Sequence, residues 1–164
     1  MSTVIIGARA RHWDDFVVGE VLRTVGRTID NGDVVLFTGL SGDFNPVHTN
    51  AVYAADGQFG ERIAHGLLTL AVSSGQMNQT GMFEGTTIGF LGMTDVRFSN
   101  PVRFGDTVTT RATITNTRAS SSKPDRGVVE MRIEVLNQHD QLVLSYDQAL
   151  LMSASGATGD GAAS

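Results

Sequence analysis

An acid, an amide and an imidazole stand within six positions of one another in the segment Ser41-Gly42-Asp43-Phe44-Asn45-Pro46-Val47-His48. Gly42 and Pro46 fix the path of the chain there, glycine by admitting conformations that other residues avoid and proline by locking its own φ. Carried on one stiff turn, Asp43, Asn45 and His48 can converge on a single small molecule, most simply a water. Two readings stand for these residues. In one they activate that water by acid–base chemistry; in the other Asp43 and Asn45 satisfy turn amides while His48 caps the following helix. Pro46 and His48 beside the Asp-x-Asn pair weigh toward the first.

Other chemistries are tested on the same residues and fail. A calcium loop starting at Asp43 needs glycine at its sixth position and a bidentate glutamate at its twelfth, where His48 and Ala54 stand. Glu61 and His65 are four apart, but no His-Glu-x-x-His pattern surrounds them, so no metal is expected. Gly39-Leu40-Ser41-Gly42 is one residue short of a nucleophile elbow. Neither a P-loop nor a Gly-x-Gly-x-x-Gly run occurs, which leaves nucleotide binding of those kinds without support.

A second segment, Ile63-Ala64-His65-Gly66-Leu67-Leu68, opens an apolar helix. A glycine at such a start leaves its N–H unpaired near the positive end of the helix dipole, a ready donor for a developing oxyanion. Turn geometry alone would equally account for Gly66. His65 reads as a hydrogen-bonded structural histidine and Ser74 as a small buried packing residue.

Both segments must be positioned by a scaffold. Val21 to Ile29 is a β-branched stretch, and Asp30-Asn31 is placed to cap a short helix over Asp33 to Leu40. A polar loop from Ser41 to Val47 follows. Thr49 or Asn50 is placed to cap a second short helix through Ala55, which Gly57 to Gly60 breaks. The long helix Leu67 to Gln79 carries Leu67, Leu70, Ala71, Ser74 and Gly75 at helical spacing, a face of small residues that another element can approach closely. The rest is strands: Thr86 to Phe98, ended by Asn100-Pro101; Thr107 to Thr115 after the Gly105-Asp106 turn; Glu130 to Leu136; and Gln141 to Met152 after a short connection at Asn137 to Asp140. Period-two alternation, as in Met131, Ile133 and Val135 against Glu130, Arg132 and Glu134, describes an antiparallel sheet with one wet face. Helices followed by a run of strands predict an α+β fold with one buried helix laid on a curved sheet.

At 164 residues one domain is expected, over 13–153, with residues 1–12 and 154–164 as tails. The C-terminal stretch is too poor in large apolar side chains to offset its ordering entropy. The chain has no cysteine, which excludes disulfides, thiolate metal sites and cysteine nucleophiles and suits a reducing cytoplasm. A net charge of −5 disfavours a generic nucleic-acid binder, and no apolar run reaches the ~20 residues of a membrane span. A signal-peptide stretch is also missing from residues 1–20, so a cytoplasmic protein is expected. Lys123 is the sole lysine among 12 cations, so lysine-based covalent chemistry has no foothold.

Taken together, the two segments resemble the hydratase motif of the MaoC-like, (R)-specific enoyl-CoA hydratase family: Ser41 to His48, five further residues, then Ala54. Phe59-Gly60, Ala64-His65-Gly66-Leu67-Leu68, Arg97-Phe98, Pro101-Val102 and Gly105-Asp106 are similar to the same family's later blocks, so the resemblance runs over Trp13 to Met152. It implies a hot-dog fold, an antiparallel β-sheet wrapped around a long central α-helix, and a homodimer or higher homo-oligomer joined edge to edge through the sheets. The implied reaction is reversible syn addition of water to a trans-2-enoyl-CoA, with Asp43 and His48 as catalytic pair, Asn45 as supporting amide and Gly66 as oxyanion-hole glycine. Coenzyme A enters as part of the acyl-CoA substrate, and no cofactor, metal, nucleic acid or membrane is expected. Leu40, Ser74 and Met77 are expected to line the acyl tunnel, and Arg97, Arg103 and Arg126 are the candidates for the coenzyme A phosphates. An acyl-CoA thioesterase or a non-catalytic acyl-CoA-binding subunit on the same fold are the alternatives.

Overall fold

Capping and alternation decide where the elements begin and end. The structure, a computed structural model, describes residues 3–4 and 9–156. In chain order its elements are β1 (Thr3–Val4), a 3-10 turn at Trp13–Asp15, β2 (Val21–Arg23), β3 (Arg27–Thr28), α1 (Asn31–Ser41), α2 (Pro46–Thr49), α3 (Ala51–Ala55), α4 (Gly66–Gln79), β4 (Thr87–Phe98), β5 (Thr107–Ala119), β6 (Arg126–Leu136) and β7 (Leu142–Ser153). Asp30 caps α1 by accepting from Gly32 N, and Asn50 caps α3 by accepting from Tyr53 N. The β-branched stretch from Val21 to Ile29 divides into two short strands, both pairing with β5. The polar loop is shorter than expected. Helix α1 runs on to Ser41, Gly42 closes it in the left-handed conformation (φ 75°), and Pro46 starts a single turn, α2.

The sheet order is β1-β2-β5-β6-β7-β4, with β3 also on β5. All the long pairings are antiparallel, while β1 and β2 run parallel. Alternation works as read: Val108, Ala112 and Ile114 on β5 and Met131, Ile133 and Val135 on β6 are buried against α4 and its neighbours.

Helix α4 is rotated relative to the expectation. Its buried residues are Leu68, Thr69, Val72, Ser73, Gln76 and Met77, while Leu67, at 61% exposure, Ala71 and Gly75 turn outward and Ser74 is half-buried. Thr69 turns its hydroxyl back to His65 O at 3.3 Å, and Ser73 and Gln76 can face the sheet because the sheet answers them. Gln76 Nε2 donates to the carbonyls of Val25 and Val108, both at 2.9 Å. Thr110 Oγ1 lies 2.8 Å from Gln76 Oε1 and 3.0 Å from Ser73 Oγ, and Ser73 Oγ lies 3.0 Å from the Tyr146 hydroxyl. The Gln76 carbonyl only accepts, so it takes the Thr110 proton; Ser73 then donates to Thr110 and Tyr146 to Ser73. Burial pushes the Tyr146 phenol above its ordinary value, which the Ser73 contact partly offsets, so it stays a donor.

The segment expected as an N-terminal tail is partly held. Thr3–Val4 pairs with β2, Arg11 N donates to Met82 O at 2.8 Å, and the Arg11 guanidinium grips both oxygens of Glu20. That grip, more than any other influence, keeps the Glu20 carboxyl below its ordinary range. Residues 1, 2 and 5–8, and 157–164 of the expected C-terminal tail, lie outside the described residues. Among the described residues no helix is long and apolar enough to cross a membrane.

Candidate active site

Asp43 sits in the turn between α1 and α2. Its N–H donates to Ser41 Oγ at 3.2 Å, and its Oδ1 accepts from Asn45 N at 3.2 Å. Asn45 Oδ1 in turn caps α2 by accepting from Val47 N at 3.2 Å. The turn-amide role weighed for these two residues is therefore real, but it occupies one oxygen of the Asp43 carboxylate and leaves the other for a ligand. His48 does no capping. One turn into α2, its Nδ1 lies 2.8 Å from Ile63 O. A carbonyl only accepts, so Nδ1 carries the hydrogen and Nε2 presents a lone pair.

Asp43, His48 and His65 each bring a ligating atom within 4.8 Å of the others. A water can bridge groups so spaced. His65, the N-cap residue of α4, is 2% exposed and lies under His48, ring centroids 3.8 Å apart and planes 31° from parallel. Its Nε2 is 3.0 Å from the backbone carbonyl of Asp43, and the Phe37 ring packs against it at a tilt of 52°, centroids 5.0 Å apart. One nitrogen of each histidine meets a backbone carbonyl, which leaves the other as the nitrogen that can accept. Glu61, the other residue weighed for a metal, pairs with Arg103.

Gly66 is the first residue of α4, so its N–H has no partner inside the helix. A Cβ at Gly66 would stand 2.8 Å from Phe98 Cε1 and 2.9 Å from Cδ1, so the glycine also admits the ring that ends β4. Gly66 and Phe98 line a pocket of about 230 Å³ together with Ile63, Ala64, Thr69 and Val143. Sequence reasoning missed Phe98, because nothing in spacing joins the end of a strand to the start of a distant helix.

The residues expected to line the acyl tunnel separate. Leu40, 86% exposed, borders a groove of about 270 Å³ with Leu36, Phe37, Leu68 and Ala71. Met77 is packed in the core at 4% exposure, and Ser74 is half-buried with its carbonyl accepting from Asn78 Nδ2. Both placements follow from the rotation of α4.

The arginines separate as well. Arg103 donates to Phe59 O at 3.1 Å, on the rim of the Gly66 pocket, and Arg97, paired with Asp95 at 2.6 Å, immediately precedes Phe98. Arg126 pairs with Asp125 and stands opposite Ser153 on β7, whereas Phe98 stands opposite Leu144. At 3.2–3.4 Å per residue, the register carries Arg126 roughly 30 Å along the sheet, away from the Gly66 end of its own chain.

Residues 15–137 match the family model described as MaoC like domain. An (R)-specific enoyl-CoA hydratase of Rhodospirillum rubrum is 40% identical over 96 residues, 56% of this chain and 62% of that protein. Protein MaoC of Klebsiella aerogenes is 34% identical over 103 residues, 63% of this chain and 30% of its own length. The chain thus spans less than two thirds of either curated relative. Among solved structures, a monoamine oxidase regulatory protein from Archaeoglobus superposes with a TM-score of 0.82 at 32% identity, covering 91% of this chain and 98% of that one. A Mycobacterium tuberculosis protein described as a double hotdog fold superposes with a TM-score of 0.79 at 24% identity, covering 93% and 47%. The sheet and its central helix form a hot-dog fold.

Proposed function

The chain belongs to the MaoC-like domain family, and from that membership and the geometry of Asp43 and His48 we propose that it is an (R)-specific enoyl-CoA hydratase, a hydro-lyase acting reversibly on trans-2-enoyl-CoA thioesters. The observation that carries the reading is an acid and an imidazole with ligating atoms within 4.8 Å of each other, close enough for one shared water, the imidazole packed on His65, the residue that precedes the unpaired Gly66 N–H.

A water held between the open Asp43 oxygen and His48 Nε2 adds its oxygen to C3 as Nε2 takes its proton. Electrons move through the conjugated thioester onto the carbonyl oxygen, where the Gly66 N–H receives the charge. They return to C2, which collects the proton from His48, and Nε2 regains its lone pair. One water and one imidazole on one face of the double bond give syn addition. Asp43 orients the water and stabilises the imidazolium that forms. Asn45 sets the turn that holds Asp43. Arg103, which donates to Phe59 O on the pocket lining, is the arginine best placed for the coenzyme A phosphates, though engaged with Glu61, while Arg97, paired with Asp95, alternates away from Phe98 on β4. A homodimer forms through β4, the sheet edge whose Phe90 and Leu91 are more than half exposed.

Hydration of crotonyl-CoA, followed as loss of the conjugated-double-bond absorbance with chiral analysis of the product, tests the reading. Asp43→Asn and His48→Gln each lower turnover at least ~100-fold with folding unchanged, the scale of a lost acid–base group. Undiminished hydration by Asp43→Asn overturns it, as does release of free thiol from saturated acyl-CoA without any hydration.

A further inference from the structure

His65 touches both members of the acid–base pair, the backbone of Asp43 through its Nε2 and the ring of His48 through its own. The hydrogen bonds that Asp43 makes to Ser41 and Asn45 lie within its own turn and move with it. The contact from His65 Nε2 to the Asp43 carbonyl instead ties that turn to the start of α4. His48 is anchored to the same short stretch, through Ile63 O and through the His65 ring. That stretch is itself pinned, since Ala64 N donates to Val102 O at 2.8 Å and Ile63 bridges to Arg103. The spacing of carboxylate and imidazole is therefore set from residues 63–65.

The nitrogens of His65 are unequal. A carbonyl only accepts, so Nε2 carries the hydrogen, while Nδ1 is buried with no hydrogen-bond partner. A buried polar atom left unpaired calls for a reason, and an apolar side chain at this position would leave none. The return on the imidazole lies in its other nitrogen. We propose that His65 is a positioning residue, whose Nε2–H holds the Asp43 backbone so that Asp43 and His48 keep the spacing needed to grip one water. The inference rests on the hydratase reading for its kinetic consequence and on geometry alone for the contact.

Two variants of the full chain separate the contact from mere filling of space. Gln places an amide N–H near the position of Nε2, whereas Phe keeps a ring and loses the donor. With crotonyl-CoA, His65→Phe lowers kcat at least about tenfold with KM nearly unchanged, as expected for misplaced reacting groups, and His65→Gln stays within about threefold of the parent. Equal losses in the two variants, or a His65→Phe protein keeping more than half of kcat, overturn the proposal. Should His65→Phe fail to fold, imidazole 15N spectra of the unaltered protein decide: His65 as the Nε2–H tautomer and His48 as the Nδ1–H tautomer support it, and His65 as the Nδ1–H tautomer overturns it. An unaltered protein that shows these tautomers but hydrates nothing refutes the hydratase reading and leaves the contact standing, so the two failures are told apart.

Discussion

At Gly66 two demands meet on one missing atom. The Phe98 ring lies where a Cβ would be, and the proposed oxyanion needs the same bare backbone to come close. Gly66→Ala keeps the N–H, so it tests space and not the donor. Phe98 is 51% exposed at the end of an edge strand and can swing aside, which puts the stability loss at the low end of overpacking, about 1 kcal/mol. Adding Phe98→Ala removes that clash. If the glycine serves Phe98 alone, Gly66→Ala/Phe98→Ala recovers both stability and turnover relative to Phe98→Ala. The oxyanion reading expects recovery of the melting temperature only, with kcat/KM still depressed at least about tenfold by the displaced thioester. Calorimetry and kinetics on the three variants decide it. Part of the candidate site is legible residue by residue, since Asp43, Asn45 and His48 stand out by type and local spacing, while Gly66 is as well accounted for by turn geometry. His65 and Phe98 do not stand out, because their partners lie 22 and 32 positions away in sequence and their contacts exist only once the chain has folded.

Several element boundaries are readable where a side chain acts on its own neighbours: Asp30 and Asn50 cap helices, and Asn137 Oδ1 closes the β6–β7 connection by accepting from His139 N and Gln141 N, whereas the Asn45 cap of the single-turn α2 falls inside the stretch read as a loop. The rotation of α4 was not readable, because pattern reasoning turns Thr69, Ser73 and Gln76 outward as polar residues. Ser73 and Gln76 face inward because Thr110, Tyr146 and the carbonyls of Val25 and Val108 meet them there, and Thr69 does so with its hydroxyl donating to His65 O. A polar residue counts as core only when its partner is known, and those partners sit on other elements. The same network fixes the rotation, and with it Gly66 at the pocket. Gln76→Leu leaves the carbonyls of Val25 and Val108 without this donor and takes from Thr110 one of its two acceptors, at a cost of at least about 2 kcal/mol. Ser74→Ala, on the half-buried side of the same helix, changes stability by no more than about 0.5 kcal/mol. Urea titrations that give the two variants equal midpoints would show that the network does not hold the helix.

On the scale of the whole molecule, one edge of the sheet is left open. Strand β4 is twelve residues long, pairs only with β7 among the described residues, and exposes Ile88, Phe90, Leu91, Val96 and Phe98. A long apolar edge is a template for another strand unless something covers it, and its three register shifts bend it without adding charge at its middle. In a two-fold dimer the residues nearest the axis meet their own copies, so a like charge placed there opposes itself. Phe90→Glu/Leu91→Glu puts two carboxylates from each chain at the middle of the proposed joint. The parent protein should scatter light with twice the chain mass and melt at a temperature that rises with protein concentration. The double variant should scatter as a single chain and lose that dependence. Because β4 ends on Phe98 against Gly66, separating the chains also loosens the wall of the pocket, and hydration of crotonyl-CoA should fall with dimer content across a dilution series. A parent protein that is monomeric at every concentration, and equally active, would remove both the joint and its link to the site.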